Sequence, residues 1–337
     1  MKILSTVMLS AATLGLALSF SATESTAAER LIYNNFVPPT HPITLMAKRW
    51  SAEASKASGG ELKFRFPAKS LAPPPRQWSM VTSGIADVAM LANVFEGKRL
   101  TLPMVATLPF GTSTAQKTSV ALWKTYKKFF ESADEFKGVK LLSLFVHGGG
   151  DLNMVKKPIT QMSDLKSLKI RVSRGIASKE MKAVGAVLVT TPGAKTFEVV
   201  SKGIVDGAVL PASDIAKMKM IPYIKYIYTV PGKLYNTPFS ILMSQKKWDG
   251  LSKNIQKAIS SNAGLNIANH AKAWDEGMKS ALPKFKKAGI KFGQASPKLI
   301  AELKAKFAPF AQDWIDIAAK KGVDGKAALA FFRKNAM

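Results

Sequence analysis

The chain has 337 residues, 47% hydrophobic and 21% charged, and no cysteine. That length gives a prior of about two domains and enough chain to bury a core without metal or disulfide staples. The missing cysteines exclude disulfides, thiolate zinc sites, iron–sulfur clusters and thiol nucleophiles. Net charge is +27, from 49 Lys and Arg against 22 Asp and Glu. Such a balance raises nucleic acid, anionic membranes or acidic ligands as partners. The basic residues, however, stand as scattered pairs such as Lys127-Lys128 and Lys286-Lys287. This is the pattern of a solvated basic surface, and no nucleic-acid partner is expected.

At the amino terminus Lys2 precedes an apolar stretch from Val7 to Phe20, then small residues ending Thr26-Ala27-Ala28. This order predicts a secretory signal peptide over residues 1–28, cut after Ala28, and a mature chain in the periplasm. No later stretch reaches the length of a membrane-spanning helix, so the mature protein is not expected to cross a membrane.

The chain from residue 29 alternates strand and helix signals, as in an α/β protein. Leu31 to Asn35 reads as a strand, and Pro42 opens a helix to about Lys56 that Gly59-Gly60 breaks. Leu62, Phe64 and Phe66 alternate with Lys63 and Arg65, a half-exposed strand. Pro73-Pro74-Pro75 is a stiff connector into a short helix.

Val81 to Leu91 reads V-T-S-G-I-A-D-V-A-M-L, and Val200 to Leu210 reads V-S-K-G-I-V-D-G-A-V-L. Gly84 and Gly203 suit left-handed helix stops, and each copy then enters an apolar strand. A duplicated strand–helix–strand unit predicts two similar α/β lobes. The repeated Asp87 and Asp206 read as structural, each bonding nearby backbone amides. Beyond Ser252 a long helical pattern runs past Trp274 to Ala288 with a bend near Pro283. Helices at Pro297 to Lys320 and Asp324 to Lys334 follow, with an apolar stripe of Leu299, Leu303, Phe307, Phe310, Trp314 and Ile317 that predicts packing on the lobes.

Few residues point to catalysis. His147-Gly148-Gly149-Gly150 looks like an esterase oxyanion loop, but no G-x-S-x-G elbow accompanies it. The glycines fit a tight backbone crossing between lobes better. His41, His147 and His270 are the only histidines, without metal-ligand spacing. No Walker or G-x-G-x-x-G sequence occurs. Neither enzyme activity, a cofactor nor a metal is expected.

Site signals lie at strand ends, where open α/β sheets bind ligands. In Leu168 to Ser173, Leu168, Ile170 and Val172 share one face, and Lys169, Arg171 and Ser173 the other. Arg171, just before the Ser173-Arg174-Gly175 turn, can hold a carboxylate with two charge-assisted bonds or can be an exposed strand-end arginine. Asn34, Phe36, Asn93, His147, Leu210, Asp214, Tyr235 and Asn236 sit near other strand ends and complete the candidate ligand-binding set.

The run Asp164 to Val172, D-L-K-S-L-K-I-R-V, resembles the D-L-K-G-L-K-I-R-V segment of TRAP-transporter solute-binding proteins, the DctP-type extracytoplasmic receptors. Gly185-Ala186, Gly203 to Gly207, Thr40-His41-Pro42 and Lys247 to Ser252 are similar to further family segments. The resemblance implies a two-lobed periplasmic-binding-protein architecture of type II-like form, with a long helix linking the lobes and a helical C-terminal region. Lobe I is expected from 29–148 plus 238–275, and lobe II from 149–237 plus 276–337. It further implies hinge closure on a small organic acid, delivery to TRAP membrane permease subunits, and Arg171 as the carboxylate anchor. The asparagine or tryptophan that many members carry after the G-x-V-D-G element is absent from Ala208 to Ser213. A second arginine is replaced by Gly149, Gly150 and Asp151. Fewer polar partners leave sugar hydroxyls unpaired when buried, so the expected ligand has one carboxylate and an apolar or aromatic body.

Overall fold

The computed structural model describes residues 28–39 and 41–337. Residues 1–27, which carry the export signal read from the sequence, lie outside the described residues. In chain order the strands are β1 (Glu29–Asn34), β2 (Leu62–Arg65), β3 (Val88–Ala92), β4 (Val139–Val146), β5 (Asp151–Met154), β6 (Lys169–Val172), β7 (Val187–Thr190), β8 (Gly207–Leu210), β9 (Tyr226–Thr229), β10 (Pro238–Ser244) and β11 (Lys291–Gln294). They form two sheets, ordered β2-β1-β3-β10-β4 and β11-β9-β5-β8-β6-β7.

Read from β2 and from β7, the two sheets are the same construction. In each, a central strand lies parallel to two neighbours, and the next strand returns antiparallel to its own two partners. The repeated segment fills the same place in both. Gly84 and Gly203 take φ of +76° and +65°, the left-handed stop that a side chain rarely adopts. Three residues on, Asp87 Oδ2 accepts from Ile32 N at 2.7 Å, and Asp206 Oδ2 accepts from Lys169 N at 2.8 Å. Both carboxylates thus bond backbone amides, as their position beside helix ends predicts.

Each sheet is covered on both faces. Alternate residues of β3 and β10 enter two different apolar clusters, one around Leu91, Leu144 and Leu242, the other around Met90, Phe145 and Met243. The second sheet divides likewise between clusters around Ile170 and Val209 and around Ala208 and Ile227. No described helix is long and apolar enough to cross a membrane.

The C-terminal half departs from the pattern in three ways. The long helical stretch is broken into Lys253–Asn262, Leu265–Asn269 and Lys272–Lys287, while exposed Pro283 stays within the last helix. The break falls at Gly264, whose N–H donates to Leu142 O at 2.8 Å and whose absent Cβ would stand 2.8 Å from Trp123. Second, the Leu299-to-Ile317 stripe splits at Ala308, because Pro309 restarts a helix. Third, the helices after the second crossing do not all pack on the second lobe. Leu299, Leu303 and Phe307 pack into the second lobe, but Trp314, Ala318, Leu329 and Phe332 pack into the first, beside Trp78 and Leu144. A stripe shows that a helix is buried and leaves open against which core. The helix Lys272–Lys287 does join the lobes, with Trp274 in the first core and Ala281 and Phe285 in the second.

Candidate ligand-binding site

The chain passes between the lobes at residues 147–150 and again at 233–237, and the two passages lie side by side. Gly150 N donates to Tyr235 O at 2.7 Å, and Asn236 Nδ2 donates to His147 O at 2.8 Å. A Cβ on Gly149 would stand 2.2 Å from Lys233 Cγ, and one on Gly150 2.3 Å from Tyr235 Cε1. The glycine run therefore lets two backbones touch. Lys233 Nζ reaches back to Asp151 Oδ1 at 2.8 Å, and Asp151 Oδ2 accepts from Ala212 N at 3.2 Å.

Arg171 ends β6 beside this crossing and is only 1% exposed, which removes the exposed-arginine alternative. Its Nε donates to Thr191 Oγ1 at 3.2 Å and one Nη to Thr191 O at 2.7 Å. Among the described residues no carboxylate lies within ion-pair distance of it. A guanidinium carries five N–H donors in a fixed fork, so most of its donors remain uncommitted. Burial pushes its pKa down, against the opposing fields of Tyr235 and Asp214. A buried cation of this kind is costly until an anion meets it. The turn after Arg171 faces the first lobe, since a Cβ on Gly175 would lie 3.6 Å from Val94 Cγ1.

Around this guanidinium the other expected residues divide. Asn93, adjacent to Val94, is fully buried; its Oδ1 accepts from Ser240 Oγ at 2.6 Å, and its Nδ2 has no partner. Asp214 is pushed up to about 6 by burial, with Lys217 and then Arg171 holding it down. Tyr235 is pushed up to about 12 by burial; its hydroxyl donates to Val209 O at 3.3 Å. Ser173 and Arg171 both act on that phenol. His147 contacts the Gly148 carbonyl through Nδ1 and stands edge-on to Tyr235 at 5.5 Å. Burial, helped by the Arg171 charge and opposed by the Gly148 and His147 backbone bonds, lowers its pKa to about 4, so its ring is neutral at pH 7. Phe36 packs half-buried on the first core.

Three expected residues have other duties. Asn34 is saturated: Nδ2 donates to Gln77 Oε1 at 2.8 Å and Ser70 Oγ at 3.2 Å, while Oδ1 accepts from Leu71 N at 2.8 Å. It holds the 70–77 segment and has no amide hydrogen left for a ligand. Leu210 is packed into the second core. Asn236 ties the crossing, accepting from Thr112 Oγ1 at 2.7 Å as well as bonding His147 O.

Two residues near the cleft stand outside the expected ligand-binding set. His41 caps the helix Pro42–Ala57, its Nδ1 accepting from Ile43 N at 3.2 Å, and lies edge-on to Trp274 at 6.2 Å. Burial lowers its pKa to about 4, with Lys217 and His147 adding to the shift. Lys217 lies against Gly277, where a Cβ would stand 2.8 Å from its Nζ. Its spacing of three from Asp214 on the helix Ala212–Lys217 was the one available signal.

Duplicated lobes joined by close crossings, with a buried and uncommitted guanidinium beside them, define a solute-binding protein. The chain belongs to the bacterial extracellular solute-binding proteins of family 7, whose profile matches residues 33–317. It is 34% identical to a protein named outer membrane transporter TsaT of Comamonas testosteroni, over 91% of each chain. Among solved structures, a TRAP periplasmic solute-binding protein of Bordetella bronchiseptica with bound (R)- and (S)-mandelate is similar at 32% identity and TM-score 0.86. That match covers 91% of this chain and 98% of the other. A TRAP solute-binding protein of Rhodoferax ferrireducens with copurified benzoate is similar at 26% identity and TM-score 0.81, over 92% of this chain and 98% of the other.

Proposed function

We propose that the protein is the periplasmic receptor of a TRAP-type transporter, closing on a small organic acid and handing it to the membrane permease. The observation that carries this reading is Arg171, a nearly fully buried guanidinium without a carboxylate partner. A ligand carboxylate takes its free donors in two parallel bonds. Asn93 Nδ2, fixed by Ser240, donates to a second polar atom of the ligand, while Ser173, Asp214, Tyr235, His147 and Phe36 complete the wall. Closure follows from the ligand contacting both lobes, which gives it higher affinity for the closed state.

The ligand has one carboxylate and an apolar or aromatic body. Both histidines near the cleft are neutral at pH 7, which leaves Arg171 as the buried group that meets a carboxylate. The rings of Tyr235 and Phe36 offer apolar surface to the ligand body. The mandelate and benzoate held by the two similar structures are of this type. Calorimetry with mandelate, benzoate and a polyhydroxylated sugar acid tests the reading. The aromatic acids are expected to bind, and to bind far more weakly to Arg171→Ala and Arg171→Lys. Tight binding of the sugar acid, or cleft binding that survives Arg171→Ala, overturns it.

A further inference from the structure

A second pocket lies beside the crossing and shares no lining residue with the Arg171 site. It encloses about 270 Å³ between residues 109–110, the end of the helix Pro297–Phe307, the start of the helix Pro309–Lys320, and Arg333. Its aromatic side is Phe110 stacked on Phe307 at 6.2 Å and 18°. Its polar side is cationic. The Arg333 Nε is buried without a hydrogen-bond partner, and no described carboxylate pairs with the side chain. The absent side chain of Gly111 makes room for it, since a Cβ there would stand 3.1 Å from that Nε. Lys304 Nζ lies 6.0 Å from the Phe110 ring centroid, and no acidic residue lines the pocket.

We propose that this pocket is a second binding site, for a small monoanion with a flat apolar body. A buried nitrogen donor left unpaired costs free energy that an anionic acceptor recovers. Ring faces and edges accept a flat apolar group, and the lining combines this with two cations of one sign. The volume lies just below the range typical of drug-sized ligands, about 300–1,000 Å³, and so suits a one-ring acid. Burial, with no opposing acid, also lowers the Arg333 pKa, as expected of a cation awaiting its partner.

Benzoate is the probe, titrated calorimetrically into the full-length purified protein, Arg171→Ala, Arg333→Met and the double variant. Methionine keeps an unbranched stem against Gly111 while removing the charge. The expected stoichiometry is two in the parent, one in each single variant and none in the double. Lys304→Gln, an exposed change that leaves the core intact, is expected to weaken the site remaining in Arg171→Ala about three- to fivefold. A crystal soaked in 4-bromobenzoate is expected to show bromine beside Phe110. One benzoate in the parent that Arg171→Ala abolishes overturns the second site and leaves the cleft reading intact. One benzoate in the parent that only Arg333→Met abolishes does the reverse. Binding to Arg171→Ala that neither Arg333→Met nor Lys304→Gln changes overturns the proposal as well.

Discussion

Asn34 and Arg171 occupy one and the same register position in the two lobes. Asn34 on β1 lies opposite Ala89, Arg171 on β6 lies opposite Ala208, and these alanines fall at the same offset in the repeated segment. In the first lobe the position is closed by Ser70, Leu71 and Gln77, which use up the amide. In the second only Thr191 bonds the guanidinium. One lobe spends the position on its own fold, and the other holds it open.

This asymmetry predicts opposite outcomes at matched sites. Asn34→Ala strands the Leu71 amide and is expected to cost about 1–3 kcal/mol of stability, with little effect on ligand affinity. Arg171→Met removes a buried charge that has no acidic partner, so stability stays level or rises. Ligand affinity should fall by about 2–5 kcal/mol, thirtyfold or more. Denaturant melts and calorimetry on the two variants read the contrast directly.

The paired carboxylates give a test of the duplication. Asp87→Ala and Asp206→Ala each remove one carboxylate–amide bond, a loss of about 0.5–1.5 kcal/mol. The Asp87 bond is the more shielded of the two and should carry the larger share. The sites lie in different lobes, so the double variant should equal their sum within about 0.5 kcal/mol. A large excess over additivity would mean that the lobes unfold as one unit through contacts these residues share.

Asp214 fixes a pH dependence with a definite sign. Its folded pKa is raised from 3.8 to about 6, chiefly by burial. Between those values the folded chain keeps a proton that the unfolded chain has shed. Stability therefore falls as pH rises through that window, and the cost is complete above about pH 6. Asp214→Asn should be more stable than the parent at pH 7.5, by at most about 3 kcal/mol, and equal to it near pH 3.5. In the parent, protonation below pH 6 also removes a negative charge beside the ligand carboxylate. An acid that stays ionised should then bind several-fold tighter at pH 5.5 than at pH 7.5, and the change should vanish in Asp214→Asn.

His147 acts with the opposite sign. Its folded pKa is depressed from 6.5 to about 4, so the unfolded state takes up a proton first as pH falls. Stability is lost from pH 6.5 down to 4 on this account, and His147→Gln should flatten that limb in melts recorded across the range.

Gly150 leaves no room for substitution. An alanine Cβ meets the Tyr235 ring at 2.3 Å, and the ring is itself buried, with its hydroxyl bonded to Val209 O. Gly150→Ala should cost about 1–3 kcal/mol through forced displacement of the ring. Ligand binding should weaken too, because the crossing moves with it. Gly84→Ala meets no atom and is the control for backbone conformation alone, since that glycine has φ +76°.

Much of this was legible in the residues. The offsets shared by Val81–Leu91 and Val200–Leu210 carried the two-lobed plan, and Gly148-Gly149-Gly150 carried the crossing, because glycine runs mark places where backbones meet. Arg171 stood out by its place at a strand end. Asn34 carried the same signal, and its amide is taken up by the 70–77 segment, which arrives from elsewhere in the chain. His41 and Lys217 come together only through folding, and their separation in the chain hides it. The helix break at Gly264 is likewise set by Leu142 and Trp123. Periodicity placed Trp314 on a packing stripe, and it held no information on which sheet would receive it.

The placement of the last helix governs the order of assembly. The second lobe draws its core from two stretches of chain, between the first and second crossings and from Ala281 to Phe307, with partly buried Phe310 just beyond. The first lobe takes its core from both extremes, with Trp78 and Leu144 waiting for Leu329 and Phe332. The second core can therefore form without the last helix. A chain ending just before Gly325 keeps the whole second core and lacks Leu329 and Phe332 of the first.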